Sequence, residues 1–179
     1  NKFQIIMPTK KASFALSIDL ELAWGVWDKL SSTNIKKIID TERFVCGNLL
    51  NIFDDNEIPV TWAVVAALLD NKNKMMGNLN QKAWYAPDIL DNILNSKTKH
   101  LIASHSYAHK EFTACSNEEI IEDFEKSNFF FKSININCDV FIFPRNDVFH
   151  LDVLKKFNFK SYRSIDQSWY KKVYKYNKL

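Results

Sequence analysis

The side chains here that can bind a metal or move a proton fall into three short groups. Asp19 and Glu21 stand in Ser17-Ile18-Asp19-Leu20-Glu21, His105 and His109 in His105-Ser106-Tyr107-Ala108-His109, and Arg145 in Phe143-Pro144-Arg145-Asn146. Two histidines four apart can meet one ion from a single helical turn, and this pair holds half of the chain's 4 histidines. Two imidazoles and a carboxylate with open coordination positions make a zinc-type catalytic set, which polarises a carbonyl and lowers the pKa of bound water toward about 7. Asp19 and Glu21 alternate along an extended segment, so they point to opposite sides unless the strand has already turned. One then binds metal while the other takes a proton from the water. Arg145 can orient a carboxylate through its two-pronged guanidinium.

Each group follows an apolar run, and these runs set the architecture. Phe14 to Ile18 reads as a buried strand ending at Asp19, Val60 to Val65 as a second, His100 to Ala103 as a third, Asp139 to Phe143 as a fourth, and Lys160 to Arg163 as a fifth. Helical patterns lie between them. Asp40 caps one that carries Phe44, Val45, Leu49, Ile52 and Phe53 and ends near Asn56, and Pro87 opens another through Leu94. Ser116 and Glu119 form a capping box before Ile120, Ile121, Phe124 and Phe131, and Leu151 to Phe157 is helical. Alternating strands and helices imply a parallel sheet, open or closed into a barrel. C-terminal strand ends share one face of such a sheet, so the three polar groups converge there.

Composition narrows the classes further. The 179 residues are 46% hydrophobic and 25% charged with 3 Gly and 4 Pro, which excludes a collagenous or low-complexity chain. The length suits one domain with a substantial core. A net charge of +3 from 24 basic and 21 acidic residues is too balanced to point to nucleic acid, and the Lys171 to Lys178 segment is only a short basic tail. Cys46, Cys115 and Cys138 lie far apart without finger spacing, as expected of unpaired thiols in a reducing compartment. Asn1 to Ala15 holds no continuous apolar stretch of signal-peptide type, and no run reaches the roughly 18 apolar residues of a membrane span, so a cytoplasmic location is expected.

In this order the three groups resemble the motifs of the polysaccharide deacetylase family (NodB-homology, carbohydrate esterase family four), closest to its O-antigen and capsule branch. Ser17 to Glu21 is similar to the strand that ends in an acidic pair, His105 to His109 to the His-Ser/Thr-x-x-His motif, and Phe143 to Asn146 to the later arginine-proline loop. Val60 to Val65 is similar to the family's second strand, and the likeness runs over about residues 14 to 163. The resemblance implies an α/β fold, a distorted (β/α) barrel, as a single domain over 1–179 lacking the last strand and its motif. It implies metal-dependent removal of acetyl groups from an acetylated carbohydrate, with zinc as the ion, Asp19 as general base and Glu21, His105 and His109 as metal ligands. Arg145 would position Asp19. Trp24, Trp27, Trp84 and Tyr85 flank the expected strand-end loops and could stack on sugar rings, Trp24 and Trp27 being the better candidates, with Asn146 a further substrate contact.

Two departures keep alternatives open. The family's metal-binding acid directly follows its base, where this chain has Leu20, so Glu21 stands in for it. The family also uses a late histidine as acid for the leaving amine, and no histidine follows His150, which lies in the expected helix after Arg145; Asp166 and Trp169 only faintly match the segment that supports it. A degenerate barrel that binds glycans without turnover, or a hydrolase of small linear amides, would also suit these residues. Phe53-Asp54-Asp55 mimics the acidic pair, but it ends a helical pattern and reads as a solvated helix end.

Overall fold

Short apolar runs become strands of a parallel sheet when helices cover their faces. The computed structural model describes residues 14–72 and 81–164. It shows β1 (Ser17–Leu20), α1 (Ser32–Lys37), α2 (Arg43–Asp55), β2 (Thr61–Val64), α3 (Gln81–Trp84), α4 (Pro87–Leu94), β3 (Leu101–Ser104), α5 (Asn117–Ser133), β4 (Val140–Ile142), α6 (Leu151–Lys156) and β5 (Ser161–Arg163). All five strands pair in parallel in the order β1-β2-β3-β4-β5. In a flat sheet the two edges would lie about 19 Å apart, four spacings of roughly 4.8 Å. Here Arg163 of β5 reaches Ser17 and Asp19 of β1, so the sheet is curled into an open (β/α) barrel.

Two cores hold the curl. Trp62, Val64, Val65 and Ala66 are fully buried with Leu20, Leu68 and Leu90 around β1 to β3. Around β4 the core is phenylalanine: Phe112, Phe124, Phe141 and Phe143 are buried, with Phe157 and Phe159 packed against them. Ring centroids there lie 4.9 to 5.7 Å apart, mostly tilted or edge-on, and each such pair adds about 0.5–1.5 kcal/mol beyond its buried area. Helix α5 opens with the capping box: Ser116 accepts from the Glu119 amide, and the Glu119 carboxylate accepts from the Ser116 amide at 2.8 Å. No helix among the described residues is long and apolar enough to cross a membrane.

Four expectations change. The first strand begins at Ser17, so Asp19 lies inside β1 and Glu21 just past its end. Asp40 caps nothing: it sits in a wide turn over Ile38–Glu42 that joins α1 to α2, paired with Lys36. In α2, Leu50 and Phe53 face the core while Phe44, Val45 and Ile52 face solvent. The continuous helical path from α1 rotates the inward stripe away from the predicted positions. Asp54 and Asp55 close α2, but the Asp54 carboxylate accepts from the Lys97 and Thr98 amides instead of facing water as read from the sequence, and Asp166, Trp169 and the Lys171 to Lys178 tail lie outside the described residues.

Candidate metal centre

The parallel register brings Leu20, Val64, Ser104, Ile142 and Arg163 to one end of the sheet. His105 follows β3 directly and is fully buried; His109 is 2% exposed. Their Nε2 atoms lie 3.3 and 2.8 Å from Glu21 Oε2. One donor atom from each of the three residues falls within 4.8 Å of the others, a compact two-nitrogen, one-oxygen set. Asp19 Oδ2 lies 3.9 Å from His105 Nε2, beside this set.

The 105–109 segment is a loop, not the helical turn its spacing suggested. Ser106 and His109 adopt left-handed backbone conformations with φ of 65° and 52°. Such residues are strained and persist only where their surroundings hold them. Here the Ala66 and Ala67 amides donate to the Ser106 and Tyr107 carbonyls at 3.0 Å. Buried Asp123 of α5 accepts from the Tyr107 and Ala108 amides at 2.7 and 3.1 Å. Burial raises the Asp123 pKa against the pull of these bonds. Tyr107 also donates to Asp70 at 2.8 Å. A loop pinned from three sides turns both imidazoles inward without helical geometry.

Electrostatics support a cation at this place. Ile142 O lies 2.7 Å from His105 Nδ1. A carbonyl only accepts, so Nδ1 carries a proton and Nε2 is left to face Glu21. Two lone pairs facing each other need a proton or a metal ion between them. Burial alone would raise the Glu21 pKa, but hydrogen bonds and positive charge from His105 and His109 outweigh it and hold the group at about 2. Gly25 makes room for this carboxylate: a Cβ there would stand 2.0 Å from Glu21 Oε1. Side-chain types, burial and cradle all fit a divalent ion, with Glu21, His105 and His109 as its holders.

The remaining predicted site residues separate. Arg145 does not meet Asp19. It pairs with Asp28 at 2.6 Å and with Glu111, because the left-handed turn at Arg145 and Asn146 (φ 53° and 54°) aims it the other way. Asp19 is held instead by Arg163, at 2.8 Å to each oxygen. Asn146 accepts from Arg163 Nε at 3.2 Å, so its carboxamide oxygen is engaged within the protein. Trp24 is 3% exposed, stacks edge-on against Trp84 and donates to the Trp84 carbonyl, a core role that removes it from sugar contact. Trp27 is 47% exposed. It lines a cavity of about 360 Å³ with Asp28, Lys110, Glu111 and Arg145, one residue beyond His109. His150 lies at the start of α6, 2.6 Å from Asn117 Oδ1 and 2.8 Å from the Cys115 carbonyl.

Arg163, Asp123 and Gly25 escaped the sequence reading. Asp123 left a signal, an acid on the inward face of α5 between Ile120 and Phe124. Arg163 left only its place at the end of the expected fifth strand, since Asp19 and Ser17 are 144 and 146 residues away.

Comparison with known proteins agrees with the fold. The polysaccharide deacetylase family profile matches residues 40–162, which include both histidines and begin after Asp19 and Glu21. The chain belongs to the polysaccharide deacetylase family. A chitin deacetylase of Saccharomyces cerevisiae is 33% identical over 82 residues, 46% of this chain and 26% of that protein, so the chain spans about a quarter of this relative's length. Solved structures share the fold at low identity. A peptidoglycan deacetylase from Bacillus subtilis aligns over 88% of this chain and 62% of its own, with a TM-score of 0.55 and 13% identity. A chitin deacetylase from the fungus Colletotrichum lindemuthianum aligns over 83% and 54%, at 0.53 and 16%. A carbohydrate esterase family 4 pseudoenzyme from Bacillus anthracis aligns over 83% and 41%, at 0.57 and 14%.

Proposed function

We propose that this protein is a metal-dependent hydrolase that removes acetyl groups from an acetylated sugar or polysaccharide. The observation that carries the reading is the Glu21–His105–His109 set, its two imidazoles buried and its carboxylate partly exposed, with Asp19 beside it but held outside it. A bound divalent ion, zinc by the chemistry of two imidazoles and one carboxylate, supplies Lewis acidity to an acetyl carbonyl and acidity to water. The chain's own residues do the rest. Glu21 and the two histidines hold the ion at the strand ends, and the Ile142 carbonyl fixes the His105 tautomer. Asp19, within reach of that place, takes the proton from the attacking water. Trp27 offers a flat apolar face to a sugar ring, and Asp28 and Glu111 line the same cavity with acceptors for hydroxyl groups. Cys46, Cys115 and Cys138 are all unpaired, which supports a reducing compartment as the place of action.

A second reading is glycan binding without turnover. It is favoured because, among the described residues, no third imidazole reaches the metal centre: His150 is bonded elsewhere and His100 sits at the opposite end of β3. Elemental analysis of the purified protein and acetate release from a panel of N- and O-acetylated glycans decide between them. Stoichiometric zinc with acetate release is expected. Glycan binding that survives Asp19→Ala, with no acetate from any substrate, would establish the binding module instead.

A further inference from the structure

Asp19 stands where a carboxylate has two uses. Its Oδ2 is 3.9 Å from His105 Nε2, so a modest rotation would bring it into the ligand set and leave no separate proton acceptor. Something must hold it back, and the Phe-Pro-Arg-Asn loop does not, because both terminal nitrogens of Arg145 are spent on Asp28 and Glu111. We propose that Arg163, at the last position of β5, is the residue that positions Asp19 as proton acceptor, and that Asn146 holds Arg163 in turn. This rests on the deacetylase reading above.

The geometry uses the whole guanidinium. Nη1 donates to Asp19 Oδ1 and Nη2 to Asp19 Oδ2, each at 2.8 Å. Nη1 also donates to Ser17 Oγ at 3.1 Å, and Nε donates to Asn146 Oδ1 at 3.2 Å. Two parallel bonds set the carboxylate plane, which a single bond cannot do, and a lysine ammonium cannot reproduce the fork. The anchors on Ser17 and Asn146 fix the guanidinium along the strand and across it. Arg163 and Asp19 are both nearly a third exposed, so solvent screens the pair and its value lies in orientation more than in stability. The left-handed turn that swings Arg145 away also brings Asn146 to Arg163, so one backbone device sets both arginines. The pairing closes the open side of the barrel, because it joins the edge strands β1 and β5. Docking of β5 is therefore coupled to the orientation of the base on β1.

The test follows acetate release and the guanidinium itself. In the metal-free protein, the Arg163 Nε–H and Nη–H signals in ¹⁵N NMR exchange slowly in the wild type and become fast in Asp19→Asn. Arg163→Ala lowers kcat about 100-fold, the scale of losing a well-placed general base, with KM changed less than about threefold. Added methylguanidine restores part of that loss by refilling the space between Asp19 and Asn146. Arg163→Lys, which keeps the charge and the fold but lacks the fork, is no better than Arg163→Ala. Wild-type kcat in Arg163→Lys, or a folded Arg163→Ala that methylguanidine leaves unchanged, would overturn the inference. So would guanidinium protons that exchange in the wild type as fast as those of free arginine. A wild type that releases no acetate from any glycan defeats the deacetylase reading alone, and the NMR signals still judge the pairing.

Discussion

Strand β3 carries an imidazole near a carboxylate at each end, and the two pairs behave differently. At its start, His100 Nε2 lies 3.7 Å from Asp54 Oδ1. At its end, His105 Nε2 lies 3.3 Å from Glu21 Oε2. Both imidazoles are buried. The difference is what else the polar atoms do. Asp54 accepts from the Lys97 and Thr98 amides at 3.1 and 2.9 Å, His100 Nδ1 accepts from the Val60 amide at 3.2 Å, and Phe53 and Trp62 pack edge-on around the ring. That pair is mortar between α2, β2 and β3. At the other end Glu21 takes two imidazoles and, among the described residues, no backbone amide donates to it, while Gly25 leaves space for its carboxylate. Both imidazoles have a backbone partner at Nδ1, so the carboxylate makes the difference: it is structural where backbone amides have claimed it and chemical where they have not.

Breaking the chemical pair has the largest expected effect. His105→Ala or His109→Ala abolishes stoichiometric metal by elemental analysis and lowers acetate release by about 10³-fold, the scale of removing a principal electrostatic group. The fold survives, because the loop that carries them is held by the Ala66 and Ala67 amides and by Asp123, not by either ring. His100→Ala does the reverse. It empties a site between Phe53 and Trp62 and leaves the Val60 amide without its acceptor, costing about 3 kcal/mol in urea unfolding with metal content unchanged. Retained metal in the first case, or lost metal in the second, would erase the contrast between the ends.

Gly25→Ala sharpens it. The new methyl displaces the Glu21 carboxylate, and metal affinity in competition titration falls by about 10- to 100-fold, as for other changes that misorient a ligand. Asp54→Ala removes acceptors for two amides and costs about 1–2 kcal/mol in thermal unfolding, with no change in metal content. A last effect is on acid stability without metal. The Glu21 pKa is depressed from 4.5 to about 2 by folding, so its contribution is complete above the unfolded value and is lost as pH falls through about 2. Glu21→Gln therefore flattens that limb of the apo-protein stability curve, measured by chemical unfolding between those pH values.

Much of the scaffold was legible because it is written in local patterns. Each of the five strands lies on or beside an apolar run read from the sequence, and the Ser116–Glu119 capping box starts α5 where its spacing says. The three polar groups were legible because they follow strands, and parallel pairing puts strand ends together. What misled were inferences about which way a side chain turns. Trp24 and Trp27 are three residues apart in one segment, yet one is core and the other faces solvent, because only Trp24 meets Trp84. The four-residue spacing of the histidines suggested a helix, but left-handed turns at Ser106 and His109 achieve the same convergence.

The sequence by itself therefore determined the parallel scaffold, the family, and the residue types brought to one end of the sheet. Those depend on periodicity, caps and short spacings, which the chain carries within a few residues. Tertiary structure alone decided which arginine meets Asp19, which tryptophan is exposed, and which histidine–carboxylate pair is left open for chemistry. Each depends on partners up to 146 residues apart, across a sheet whose curl no local pattern encodes.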